Sequence, residues 1–85
     1  MMIMKLVSNL VVDAGGSDNA EKLYRALQPE TRSNKSKAAK VALRAEGHMI
    51  ILTIESSTIA AMRALLNSYI RWVCISLDII ALKGE

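Results

Sequence analysis

Apolar and polar positions change period along the chain, and each change marks an element. Residues 3–12 predict a strand. Leu6, Leu10 and Val12 share one parity with Met4 and a polar break at Ser8, while Val7 and Val11 share the other, so both faces carry apolar surface. Gly15 and Gly16 end it. Ala20, Leu23, Tyr24 and Leu27 then recur at i, i+3, i+4 and i+7, the apolar face of a short helix. Asp18, three residues before Glu21, gives a capping-box-like start, with Ser17 as the alternative cap. Glu21 and Arg25 stand in the favourable i,i+4 order. Pro29 is expected to stop the helix, since the residue before a proline avoids helical geometry.

After a polar, basic connector over residues 31–36, strict alternation returns. Ala39, Val41, Leu43 and Ala45 alternate with Lys40, Ala42 and Arg44; beyond a turn at Glu46-Gly47, Ile50, Leu52 and Ile54 alternate with Met49, Ile51 and Thr53. A two-residue turn that sets Ala45 against His48 pairs Leu43 with Ile50 and Val41 with Leu52. The opposite face then carries Arg44–Met49, Ala42–Ile51 and Lys40–Thr53 pairs, with an apolar patch in its middle.

A long helix is predicted over residues 58–82, capped by Ser56 or Ser57 and closed by Gly84. Its apolar residues do not form one stripe. Met62, Leu65, Tyr69, Trp72, Ser76 and Ile80 lie along one line, and Leu66, Ile70, Val73, Leu77 and Ala81 along the next. Ile59, Ile75, Ile79 and Leu82 add more, while Arg63, Asn67, Arg71, Cys74 and Asp78 form a thin polar seam. A helix apolar over most of its circumference is covered on more than one side. Arg63, Asn67, Arg71 and Asp78 interrupt it, so no membrane span is expected. The excess apolar surface should meet another chain.

The order strand, helix, hairpin, helix with a right-handed crossover favours an α+β, two-layer fold. Its three-stranded antiparallel sheet has order 1-3-2, with both helices on one face. At 85 residues the chain is expected to form a single domain over 1–85. Its apolar fraction of 52% and charged fraction of 22% suit a globular chain, not a disordered one. Apolar content that high in so small a domain points to oligomerisation.

Catalytic chemistry finds little support. One cysteine, Cys74, excludes an intrachain disulfide, and with one histidine, His48, it cannot build a zinc site within the chain. Cys74 is expected as a buried, inert thiol and His48 as an exposed turn residue. Gly15-Gly16 lacks the spacing and the lysine of a phosphate loop, and no carboxylate pair is set for acid–base work. No cofactor, no metal and no enzymatic activity are expected, and the absence of a leader-like apolar core in residues 1–12 reads as cytoplasmic. The net charge is +3, with Arg32, Lys35, Lys37, Lys40 and Arg44 in a run free of acids. With no Phe in the chain and no stacking pair, any nucleic-acid contact there would be electrostatic, to the phosphate backbone.

At residues 64–72, Ala-Leu-Leu-Asn-Ser-Tyr-Ile-Arg-Trp, the chain resembles the small dimerisation subunit of the KEOPS complex, archaeal type. The segment at 20–27 followed by Pro29-Glu30, the connector at 33–37 and Ile54-Glu55 before small polar residues agree with that family in order, from about residue 3 to 82. The resemblance implies the fold given above and a homodimer. It also implies helices that pack against the threonylcarbamoyl-transferase catalytic subunit, and a scaffold role in forming threonylcarbamoyladenosine in tRNA. On that reading Leu23, Tyr24, Leu27, Arg63, Leu66, Asn67, Ile70, Arg71 and Val73 are expected to bind the catalytic partner. Ala42, Met49 and Ile51 are expected at the dimer interface, and Arg32, Lys35, Lys37, Lys40 and Arg44 against tRNA. Two alternatives stay open: a paralogue in place of the second copy, and a stand-alone electrostatic RNA-binding module, which the basic run alone would also suit.

Overall fold

A computed structural model describes residues 5–32 and 39–83, with side chains at 32, 82 and 83 outside the description. The elements run β1 (Leu6–Asp13), α1 (Ser17–Arg32), β2 (Ala39–Glu46), β3 (Met49–Ser56) and α2 (Ile59–Lys83). The sheet is antiparallel in order β1-β3-β2. Both helices lie against the face that carries Ile50, Leu52 and Ile54, all fully buried, as the alternation in β3 requires.

The hairpin register differs from the expected one. Ala45 pairs with Ile50, Leu43 with Leu52 and Val41 with Ile54, so the two loop residues are Gly47 and His48. Gly47 has φ +59° and His48 has none in the left-handed range, the pattern of a hairpin turn with glycine first. The shift is two residues, so every side chain keeps its face and only its opposite neighbour changes. On the outer face Arg44 now meets Ile51, Ala42 meets Thr53 and Lys40 meets Glu55.

Helix α1 does not stop at Pro29 but runs one more turn, to Arg32. A proline costs a helix the bond its N–H would make to the carbonyl four residues back, and the carbonyls of the last turn have no intrahelical donors in any case. Here other groups reach them: the Thr31 hydroxyl donates to Gln28 O at 2.8 Å, and the Tyr69 hydroxyl, from α2, donates to Glu30 O at 3.2 Å. Tyr69 is 1% exposed and meets Trp72 edge-on, ring centroids 5.4 Å apart. Burial raises the Tyr69 pKa, and the Glu30 charge adds to the shift. Tyr69→Phe keeps the packing and removes only this donor, so urea unfolding should show a loss of about 1 kcal/mol.

The β1–α1 turn is held from the hairpin tip. Asp13 Oδ1 accepts from Gly15 N at 2.9 Å and lies 3.0 Å from His48 Nδ1, while Ala14 N donates to His48 O at 2.9 Å. The Gly15 N–H and then His48 hold the Asp13 carboxyl below its usual range. A carboxylate with a depressed folded-state pKa adds stability that is present above its unfolded value and lost as pH falls through the folded one. Asp13→Asn should therefore flatten the acid limb of a stability-versus-pH curve measured by urea unfolding: it loses a little stability at neutral pH, and the difference from the parent vanishes below the folded-state pKa.

The cap of α2 is Thr58, whose Oγ1 accepts from Ala61 N at 3.1 Å; Ser56, expected as a cap, is buried and braces Thr58 instead. The Glu21–Arg25 pair forms at 2.6 Å. By length and composition α2 is apolar enough to cross a membrane, so its four polar interruptions do not exclude a span on those grounds. Its stripe of Met62, Tyr69 and Val73 is instead buried in the core with the sheet and α1.

Candidate interaction surfaces

At about 1.5 Å per residue α2 is roughly 37 Å long, against roughly 26 Å for an eight-residue strand. It outruns the sheet beneath it. Met62, Tyr69 and Val73 are buried, with Leu65, Leu66, Trp72, Leu77 and Ile80 half-buried beside them. The buried stripe therefore takes the Met62–Ile80 line together with parts of its neighbour. Arg63, Asn67, Arg71, Cys74 and Asp78 are all exposed, which puts the polar seam opposite the core. Cys74 was expected to be buried; it is exposed because its i−3 and i+4 neighbours are Arg71 and Asp78 on that seam. Isoleucines flank the seam on both sides, Ile59 and Ile70 on one and Ile75 and Ile79 on the other, each 44–59% exposed.

The residues expected to bind a partner divide accordingly. Leu23, Leu27 and Val73 are 0%, 1% and 5% exposed and belong to the core of this chain, so they are corrected from contact residues to packing residues. Their spacing is the same for a core stripe as for an interface stripe. Arg63, Leu66, Asn67, Ile70 and Arg71 do lie together on one face of α2, with only Leu66 half-buried. Tyr24 sits apart on α1, half-buried against the core, and its hydroxyl accepts from Gln28 Nε2 at 3.4 Å.

A groove of about 350 Å³ lies between the helices, lined by Lys22, Ala26, Ser76, Ile79 and Ile80. None of these was expected at a partner site. The signal was present in Ile75 and Ile79, which fall off both main apolar lines and so had no core position to fill.

On the outer face of the sheet, Ala42 is exposed and Met49 and Ile51 are half-buried. Ala42 stands between Lys40 and Arg44, whereas the exposed apolar side chains are Val7 and Val11 on β1, with Val11 directly across from Ile51. The apolar part of this face thus leans toward β1, and the β2 side is charged. Asn9 accepts from the Thr53 hydroxyl at 2.7 Å in the middle of the face.

Of the basic run, Lys35 and Lys37 lie outside the described residues, as does the side chain of Arg32. Lys40 and Arg44 are exposed on the outer face. Arg44 Nε pairs with Glu46 at 3.0 Å and Lys40 faces Glu55, itself paired with Lys5 at 3.2 Å. Acids on neighbouring strand positions therefore offset part of the charge that the linear sequence shows. Among the described residues no three His, Cys, Asp or Glu side chains come together as a metal would need.

Comparison with known proteins gives the family of the chain. The family model described as "Transcription factor Pcc1" matches residues 8–81. The chain is also 33% identical over 76 residues to the KEOPS complex subunit Pcc1 of Pyrococcus abyssi (strain GE5 / Orsay), covering 89% of this chain and 93% of that one. The chain belongs to the Pcc1 family and is a subunit of the KEOPS Pcc1 type.

Proposed function

We propose that this chain is a non-catalytic dimerisation and scaffold subunit of a KEOPS complex. It pairs with a second copy, bridges two threonylcarbamoyl-transferase catalytic subunits and helps bring tRNA to them in the cytoplasm. The observation that carries this reading is α2, whose exposed isoleucines flank both sides of its polar seam after one stripe has been used for the core. Four exposed isoleucines on one helix of so small a chain are a large apolar area for a monomer to leave in water. The Arg63–Arg71 face, with Leu66 and Ile70 at its edge, suits a helix-to-helix contact in which the apolar residues supply area and the seam sets register.

Light scattering on the pure chain tests the pairing. A mass near twice 9.3 kDa supports it, and a stable monomer at micromolar concentration contradicts it. The stand-alone RNA-binding module is the second reading, motivated by the basic run. The ion pairs on Lys40 and Arg44's side of the sheet weigh against it. Tight tRNA binding by the isolated chain, falling steeply with salt, would favour it. Changing both Lys37 and Lys40 to Glu should leave the dimer mass unchanged and slow tRNA modification by the reconstituted complex; unchanged modification would remove these lysines from tRNA contact.

A further inference from the structure

We propose that the buried Tyr69 hydroxyl is a positioning group for tRNA contact: it fixes the last turn of α1, and so the point from which the basic run departs. The proposal rests on the tRNA reading above and gives that contact a support on another helix.

The basic run starts where α1 ends. Arg32 is the last residue of that helix, and Lys40 and Arg44 stand on β2 just after Ala39, which is 6% exposed. The sheet and the core therefore anchor the β2 end. The helix end is not anchored by its own sequence. Pro29 has no N–H to give to the carbonyl of Arg25, and the last four carbonyls have no intrahelical donors. A helix end in that state frays over its last turn.

Two hydroxyls brace this turn. That of Thr31 donates to Gln28 O at 2.8 Å; it is local and moves with the turn. That of Tyr69 donates to Glu30 O at 3.2 Å and ties the turn to α2. Tyr69 is a fixed point. Its side chain is buried with Leu52, Ile54 and Met62, and its ring meets Trp72 edge-on. Packing of that kind locks a rotamer and with it the place of the polar group it carries. Burial raises the Tyr69 pKa, so the hydroxyl keeps its proton and donates at neutral pH.

Without this bond the last held residue moves from Arg32 back to Gln28. Ordering the extra chain then falls on each encounter with phosphate, and binding must supply that free energy. Apparent affinity falls by the fraction of molecules whose turn is open. One net hydrogen bond corresponds to a factor of about five, which is the ceiling of the effect. The lysines and arginines keep their charges. The number of phosphates they neutralise, and hence the salt slope, should stay the same.

Kinetics of tRNA modification by the reconstituted complex test the proposal. Tyr69→Phe should raise KM for tRNA about threefold to fivefold. It should leave kcat, the salt slope and the light-scattering mass of the pure chain unchanged. Hydrogen exchange should quicken at the amides of residues 30–32 and not at those of residues 20–27. Ile50→Val removes one methylene from a fully buried site in β3, with a similar loss in urea unfolding, and should leave KM unchanged. Adding Pro29→Ala to Tyr69→Phe returns the bond to Arg25 O and should bring KM back. An unchanged KM in Tyr69→Phe, or an equal rise in Ile50→Val, would overturn the positioning role; a Lys37 and Lys40 reversal that still slows modification would then keep the tRNA contact. A reversal without effect would overturn both.

Discussion

Leu23→Ala is expected to unfold the chain at far lower urea than any surface substitution. Leu23 is fully buried, in a cluster with Ala20, Leu27, Ile50 and Val73, so it ties α1 to both β3 and α2. Truncating a leucine in such a site costs about 2–5 kcal/mol, the transfer term plus the cavity left behind. A domain of this length has only about 4–12 kcal/mol in all. At roughly 1 kcal/mol per molar urea, the midpoint should fall by about 2 M or more. A fall under about 0.5 M would show that the cluster collapses around the gap, or that Leu23 is not the pin between layers. Because a dimer's stability depends on its concentration, the comparison belongs at one protein concentration.

Ile70→Asp should do the reverse, sparing the fold and breaking assembly. Ile70 is 44% exposed, so its loss from this chain costs little. In a contact with the catalytic subunit it would leave an unpaired carboxylate in an apolar patch, between Leu66 and the Arg63–Arg71 seam. Affinity for the catalytic subunit should fall about 100-fold, close to 3 kcal/mol. Titration calorimetry against that subunit, with circular dichroism to show an unchanged fold, reads both halves. Unchanged affinity would move the contact to the other flank, the groove of Ile79 and Lys22.

These two substitutions also mark what could be read from the sequence. Strand identity and the inward set of Ile50, Leu52 and Ile54 follow from alternation, and the sheet order from the right-handed crossover; the structure has all three. The hairpin register does not follow, because a shift of two preserves the pattern and Gly47 suits either position of a two-residue loop. The end of α1 does not follow from Pro29, because part of the support for its last turn, the Tyr69 hydroxyl, comes from 39 residues away. The buried stripe of α2 was undecidable because apolar residues nearly encircle the helix, and that is also why Val73 was placed at an interface and Cys74 in the core. An apolar face shows that something must cover it; only the folded chain shows whether its own sheet already does.

The central claim is that α2 has surface left over for a larger partner after the core is built. The most direct test is light scattering on a mixture of this chain with the threonylcarbamoyl-transferase catalytic subunit. A single species with two copies of each chain is predicted. A catalytic subunit that elutes alone in the presence of excess chain would contradict it.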